Sequence, residues 1–221
     1  MGKIPITLLL FLTTSGHFGC RTLYRSSLDH LDRQIALSSF GTLYAHIKSK
    51  PGEEHIAEVL KADLVARGFI VEVGVAPWAR GMSHFEEMLK DEVKVSKDPR
   101  IYGNPYVWLC DDDSPILSHQ GSLVKVLHRM TSLLESSPEM LSFRFLRRED
   151  RNPALDVGEP EKDLFYCRDF NLQCPLIRSR DYHRACKTIE DNWSTAIQMH
   201  IEGLWREVLA PLSRADKKHA V

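Results

Sequence analysis

Residues Tyr106–Leu117 read YVWLCDDDSPIL: five mostly apolar residues run into three consecutive aspartates, and a Ser-Pro pair ends the run. A short apolar run bounded by turn signals has the length of a buried strand. Adjacent carboxylates repel one another, and holding them beside a low-dielectric sheet demands a counter-charge. A hard divalent cation supplies one, and an all-oxygen donor set suits Mg2+ or Mn2+. Strand alternation assigns Asp111 and Asp113 to one side and Asp112 to the other, so that one side can hold a metal while the other meets a ligand hydroxyl. A solvated acidic turn, with Asp113 or Ser114 capping the next element, would use the same residues without any ligand.

Upstream of this stretch, strand and helix patterns alternate. Ile4–Leu12 is apolar and reads as a strand, followed by a turn-rich segment, TTSGHFG, over Thr13–Gly19. Arg21–Leu37 carries Leu23, Tyr24, Leu28, Leu31 and Ile35 at helical spacing. Thr42–Lys48 predicts a second strand, Glu53–Arg67 an amphipathic helix stopped by Gly68, and Phe69–Val75 a third strand. The loop Ala76–Gly81 leads to a helix over Met82–Val95, and Tyr106–Cys110 is the fourth strand. Such alternation predicts a mostly parallel α/β sheet flanked by helices on both faces, with near-continuous apolar strands. Ligands of such sheets bind at the carboxyl ends of the strands, from which Thr13–Gly19, Ala76–Gly81 and Asp111–Pro115 depart.

The second half is less regular. Ser122–Leu134 reads as a helix, Leu141–Leu146 and Phe170–Ile177 as strands, and Trp193–Leu209 as a strongly amphipathic helix. Glu149–Asp163, which includes Asp156–Glu159, is a polar segment with two prolines and a glycine, and we expect a long loop there.

Composition narrows the function classes. The chain has 221 residues, 43% hydrophobic and 27% charged, with a net charge of -1. That suits a single domain spanning 1–221, and nothing in the bulk charge points to nucleic acid as a partner. Its five cysteines form no CxxC pair, so we expect reduced thiols in a cytoplasmic protein rather than a disulfide framework or zinc site. The N-terminal apolar run, Ile4–Leu12, has two readings, a signal peptide and a first strand. Its thin basic region, Pro5 and the lack of a small-x-small cleavage site favour a buried strand. No stretch approaches the length of a transmembrane segment.

The alternating strands and helices, with a hydrophobic fourth strand running into Asp111-Asp112-Asp113, resemble the GT-A fold of nucleotide-sugar-dependent glycosyltransferases. The resemblance covers residues 4–117 by topology, and the short Asp-x-Asp motif gains its weight from its position. It implies that Asp111 and Asp113 hold Mn2+ or Mg2+ bridging the donor diphosphate, with Asp112 beside the nucleotide-sugar. It also implies that Thr13, Thr14 and Ser15 cradle the nucleotide, and that Arg80 and His84 meet phosphate or sugar. Residues 1–117 would form the nucleotide-sugar-binding half and 118–221 the acceptor-binding half. In TIEDNWSTAIQMHIEGLW, Glu190-Asp191 matches the x-Glu-Asp motif of inverting members. That makes Asp191 the expected general base and places Glu190 beside the acceptor; a helix N-cap at Asp191 or Asn192 is the bland alternative.

The departures from the family pattern shape the expected activity. The Gln-x-x-Arg-Trp motif of processive synthases is absent, which favours a single sugar transfer to an acceptor hydroxyl. RGMSHFEEM replaces the usual Asn-rich helix start, and IKSKPGEE stands where many members place a base-reading acid. Three rivals use the same residues. A haloacid-dehalogenase-type phosphotransferase wants Thr or Val where Pro115 stands. A nucleotidyltransferase wants a Gly-rich, basic phosphate loop near the N-terminus. A catalytically silent nucleotide-sugar-binding relative would keep the aspartates and lose the base.

Overall fold

A computed structural model of the chain describes residues 3–14, 18–75, 84–111, 123–137, 142–143, 166–167, 175–196 and 219–220. Its elements run β1 (Ile4–Thr13), α1 (Phe18–Gln34), a 3-10 turn (Leu37–Ser39), β2 (Phe40–Ser49), α2 (Glu54–Ala66), β3 (Ile70–Val75), α3 (His84–Val95), α4 (Pro99–Tyr102), β4 (Tyr106–Asp111), α5 (Leu123–Ser136), β5 (Ser142–Phe143), β6 (Tyr166–Cys167), β7 (Leu176–Arg178), α6 (Ser179–Asp191), α7 (Trp193–Ala196) and β8 (His219–Ala220). The strands form one sheet in the order β3-β2-β1-β4-β7-β5-β8-β6. Strands β3, β2, β1 and β4 are mutually parallel. β7 then runs antiparallel to β4, with Tyr106 opposite Arg178 and Trp108 opposite Leu176.

β1 explains why this sheet forms. Every second residue of IPITLLLFLT packs on one face: Ile6, Leu8, Leu10 and Leu12 meet Tyr24, Leu28 and Leu31 of α1, with Leu60 and Leu64 of α2 and Leu127 and Met130 of α5 in the same core. Leu9 points the other way, with Tyr44, Val107 and Leu109, into a second core closed by Leu89 and Val93 of α3 and Tyr182, Ala185, Cys186 and Ile189 of α6. A strand covered on both faces must be apolar at both parities, which is why its pattern is continuous rather than alternating.

The amino ends of the strands are tied by polar contacts. Asn104 Nδ2 donates to the hydroxyls of Thr7 (3.0 Å) and Thr42 (2.9 Å), joining β1 and β2 to the turn before β4. Arg178 is buried between β7 and α5. Its guanidinium donates to the carbonyls of Leu134 and Ser137 at the end of α5 and pairs with Asp181 at 3.0 Å.

Several boundaries differ from those read in the sequence. α1 begins at Phe18, so Gly19 lies inside a helix rather than in a loop. β2 begins at Phe40 and includes Gly41. β7 ends at Arg178, and within the expected Phe170–Ile177 strand only Pro175–Ile177 is described. The helices α4 and α6 were not expected; Asp98 caps α4 by accepting from the Arg100 N–H at 2.9 Å. The expected Glu149–Asp163 loop lies outside the described residues. Among the described residues, no helix is long and apolar enough to cross a membrane. Cys110 and Cys186 are buried.

Candidate functional site

Strand order reverses between β1 and β4: β2 and β3 lie to one side of β1, and β4 to the other. In an open α/β sheet the crevice at the carboxyl ends of two such strands is where ligands bind. The chain places the backbone of Asp111 there. Phe11 of β1 is in register with Asp111, the last residue of β4. Two residues further along β1, Thr13 is in register with Lys48 of β2.

Beyond the last ladder pair, the end of β1 is fastened to β2 by two more bonds. The Thr14 N–H donates to the Lys48 carbonyl at 2.9 Å. The Thr14 hydroxyl, fully buried, accepts from the Lys50 N–H at 2.9 Å. Thr13 and Thr14 therefore stand at the same edge of the sheet as Asp111, and Thr14 holds that edge together through its own oxygen.

Behind this edge, on the α3 face, lies a buried charged cluster. Tyr44, His46 and Lys48 are two residues apart along β2 and share a face. His46 is 1% exposed and Lys48 5%. Asp91 of α3 lies between them, with Oδ1 3.5 Å from His46 Nε2 and Oδ2 3.3 Å from Lys48 Nζ. Burial pushes the Asp91 carboxyl up, but hydrogen bonding and charge from His46 and Lys48 outweigh it and leave it below the usual carboxylate value. Sequence reading singled out none of these three residues. The signal was present as two polar residues at period two inside an otherwise buried strand, TLYAHIK.

Glu190 and Asp191 stand elsewhere. They are the last two residues of α6; Asn192 is its C-cap, and α7 opens at Trp193. The pair thus lies at a junction between two helices. Glu190 meets Lys97, in the turn between α3 and α4, at 2.5 Å. Asp191 is exposed and lies 3.4 Å from Lys187 one helical turn back. Asp112, Asp113, Ser15 and Arg80 lie outside the described residues, as do the side chains of Asp111 and His84; the backbone of His84 opens α3. Among the described residues no group of three metal-ligating side chains forms. Hard carboxylate oxygens such as those of the aspartate run fit Mg2+ or Mn2+.

The chain superposes on a mannosyltransferase from Pyrobaculum calidifontis, solved in complex with GDP-Man and Mn2+, with a TM-score of 0.54 and 11% identity. The match covers 96% of this chain and 53% of the mannosyltransferase, so the chain spans about half the length of that protein. Mouse xyloside xylosyltransferase 1 in its apo form matches with a TM-score of 0.47 and 14% identity over 95% of this chain and 82% of that one. A 4-diphosphocytidyl-2C-methyl-D-erythritol synthase from Anaerococcus prevotii DSM 20548 matches with a TM-score of 0.47 and 14% identity over 98% and 88%. No protein-family model matches the chain, and no curated protein matches its sequence. The fold is α/β of the GT-A type: a mostly parallel, Rossmann-like sheet with helices on both faces.

Proposed function

We propose that the protein is a metal-dependent glycosyltransferase, inverting and non-processive, that moves one sugar from a nucleotide-diphospho sugar to an acceptor hydroxyl. The observation that carries this reading is the end of β4. It delivers Asp111 to the crevice where strand order reverses, and Asp112 and Asp113 follow it directly in the sequence. Residues 1–117 form the donor half in this reading and 118–221 the acceptor half, within one domain.

Asp111 and Asp113 would hold Mn2+ or Mg2+, which supplies positive charge to the departing diphosphate. Thr13 and Ser15, with Asp112, Arg80 and His84, would line the donor; Thr14 would act by holding the end of β1 to β2. As the base, Asp191 would take the acceptor proton as the hydroxyl oxygen bonds to the anomeric carbon and the bond to the diphosphate breaks. This role would require the α6–α7 junction to reach the crevice, since the neighbouring Glu190 pairs with Lys97 in the turn that leads to the amino end of β4. Asp191 is exposed, and its ion pair with Lys187 is of the ordinary surface kind. The acceptor role of Glu190 would require release from Lys97.

Those two lysine pairs also favour a second reading, a nucleotide-sugar-binding relative that has no base at this position. A thermal-shift panel of nucleotide-sugars with and without Mn2+, followed by a transfer assay with the best binder, tests both. Mn2+-dependent stabilisation with transfer supports the first reading, and stabilisation without transfer supports the second. No stabilisation by any nucleotide-sugar removes both.

A further inference from the structure

The face of the sheet covered by α3 and α6 changes character along β2. At Tyr44 it is an aromatic and aliphatic core, with Leu9, Leu89, Val107 and Ile189. One and two pairs of residues further along, at His46 and Lys48, it is polar, yet still buried. The neighbouring strand is shaped around this cluster. A Cβ on Gly74 of β3 would stand 3.1 Å from His46 Nε2, so β3 carries no side chain where the imidazole lies. On the other side, the Phe11 ring of β1 lies 6.0 Å from the His46 ring. Taking ions out of water costs several kcal/mol each, and apolar residues of similar volume commonly fasten a helix to a sheet as well or better. What the charged cluster adds is direction. It fixes one carboxylate of α3 against two specific side chains of β2, whereas aliphatic contacts allow sliding.

The tie continues beyond Lys48. The Lys48 carbonyl accepts from the Thr14 N–H, and the Thr14 hydroxyl accepts from the Lys50 N–H. A continuous set of contacts therefore runs from Asp91 in α3, through the side chain and backbone of Lys48, to the end of β1. That end flanks the crevice into which Asp111 is delivered. We infer that Asp91, clamped by His46 and Lys48, is a positioning residue that sets the carboxyl edge of β1 and β2 for a nucleoside diphosphate bound in this crevice. The inference rests on the donor site proposed above.

The test uses D91N in the full chain, with H46Q as a milder variant that keeps the Asp91–Lys48 pair. D181N serves as a control that breaks the Arg178–Asp181 pair, beside Tyr106 at the amino end of β4. Amide hydrogen exchange is read at Thr14 and Lys50 without ligand, and affinity for GDP and UDP is measured with Mn2+. D91N should speed exchange at Thr14 and Lys50 beyond any global change, and weaken nucleotide binding roughly tenfold, the scale seen when outer-shell supports are lost. H46Q should shift both readouts in the same direction by less, and D181N should move neither. Unchanged exchange at Thr14 and Lys50 in both D91N and H46Q overturns the clamp. Faster exchange with unaltered nucleotide affinity overturns its link to the donor site. A wild-type protein that binds neither nucleotide with Mn2+ removes the donor reading and that link, while the exchange measurement still decides the clamp by itself.

Discussion

The Cγ of Asn104 lies 2.6 Å from the point where a Cβ on Gly41 would stand, and its Oδ1 is nearer still. Gly41 is a glycine because the Asn104 side chain crosses β2 there to reach Thr7 and Thr42. Gly41→Ala should therefore expel the amide and break both bonds. We expect a loss of about 1–3 kcal/mol, the usual cost of overpacking a well-filled site. Urea denaturation measures it; a loss below about 0.5 kcal/mol, the ordinary surface scale, would show that Asn104 moves aside freely.

Arg178→Met keeps much of the buried volume but leaves the Leu134 and Ser137 carbonyls without their cation and Asp181 with its 3.9 Å contact to Arg180. Stranding buried acceptors costs about 1–3 kcal/mol each, so this substitution should be among the most destabilising in the molecule. Arg178→Lys should recover only part of the loss, because one ammonium cannot reproduce the planar fork that spans both carbonyls and Asp181. Equal melting temperatures for the Lys variant and the wild type would contradict this.

The Asp91 carboxyl is held below its ordinary value by His46 and Lys48 in spite of burial. A depressed folded-state value means that its stabilisation is fully present above the unfolded value, about 3.9, and is lost as pH falls through the folded value. Asp91→Asn removes that contribution at every pH. The gap in stability between wild type and variant should be widest near neutrality and should narrow below about pH 4. A gap that is flat with pH would mean that Asp91 titrates alike in both states.

At Asp113 the expected effect is on ligand-linked stability. Mn2+ alone should raise the melting temperature modestly, and more with a nucleoside diphosphate, whose phosphates complete the coordination shell. Asp113→Asn should abolish most of this joint shift. A shift of wild-type size in the variant would place the metal, if one binds, on other ligands.

Asp191 closes α6, where the helix dipole disfavours a carboxylate, and its pair with Lys187 is of the i,i+4 surface kind. Asp191→Asn should therefore leave stability within about 0.5 kcal/mol of wild type. If Asp191 is the base, transfer should fall by about a hundredfold or more while donor affinity survives. Normal transfer by this variant would leave the acceptor proton to another group.

Much of the first half was legible in the sequence because its strands are buried on both sides. LLLFL and VWLC carry their burial in composition alone, and the helices between them show the 3.6-residue period. α6 was missed for the opposite reason. SRDYHRACKTIED is dominated by polar residues, and its buried face rests on Tyr182, Ala185, Cys186 and Ile189. Without α6, Glu190-Asp191 read as the start of the Trp193 helix, and its position at the end of another helix could not be seen. Gly41 fits neither a strand propensity nor a turn, because its cause lies across the chain in Asn104. The aspartates at the end of β4 announced themselves as a run of like charge. His46, Lys48 and Asp91 did not, since their meaning comes from a contact between β2 and α3 that no local pattern encodes.

The central place of β1 also has a cost during synthesis. It is translated before every other strand of this sheet and is among the most apolar, and both of its partners are made later. β2 arrives soon after, but Tyr106–Asp111 is translated roughly a hundred residues behind β1. At about 5–20 residues per second, one backbone edge of β1 stays unpaired for about 5–20 s on the nascent chain. An open edge of Leu and Phe for that long invites pairing with a neighbouring chain. Yield in the cell should therefore depend on chaperones that engage the β1–β3 segment, even though both edges of β1 are paired in the finished sheet.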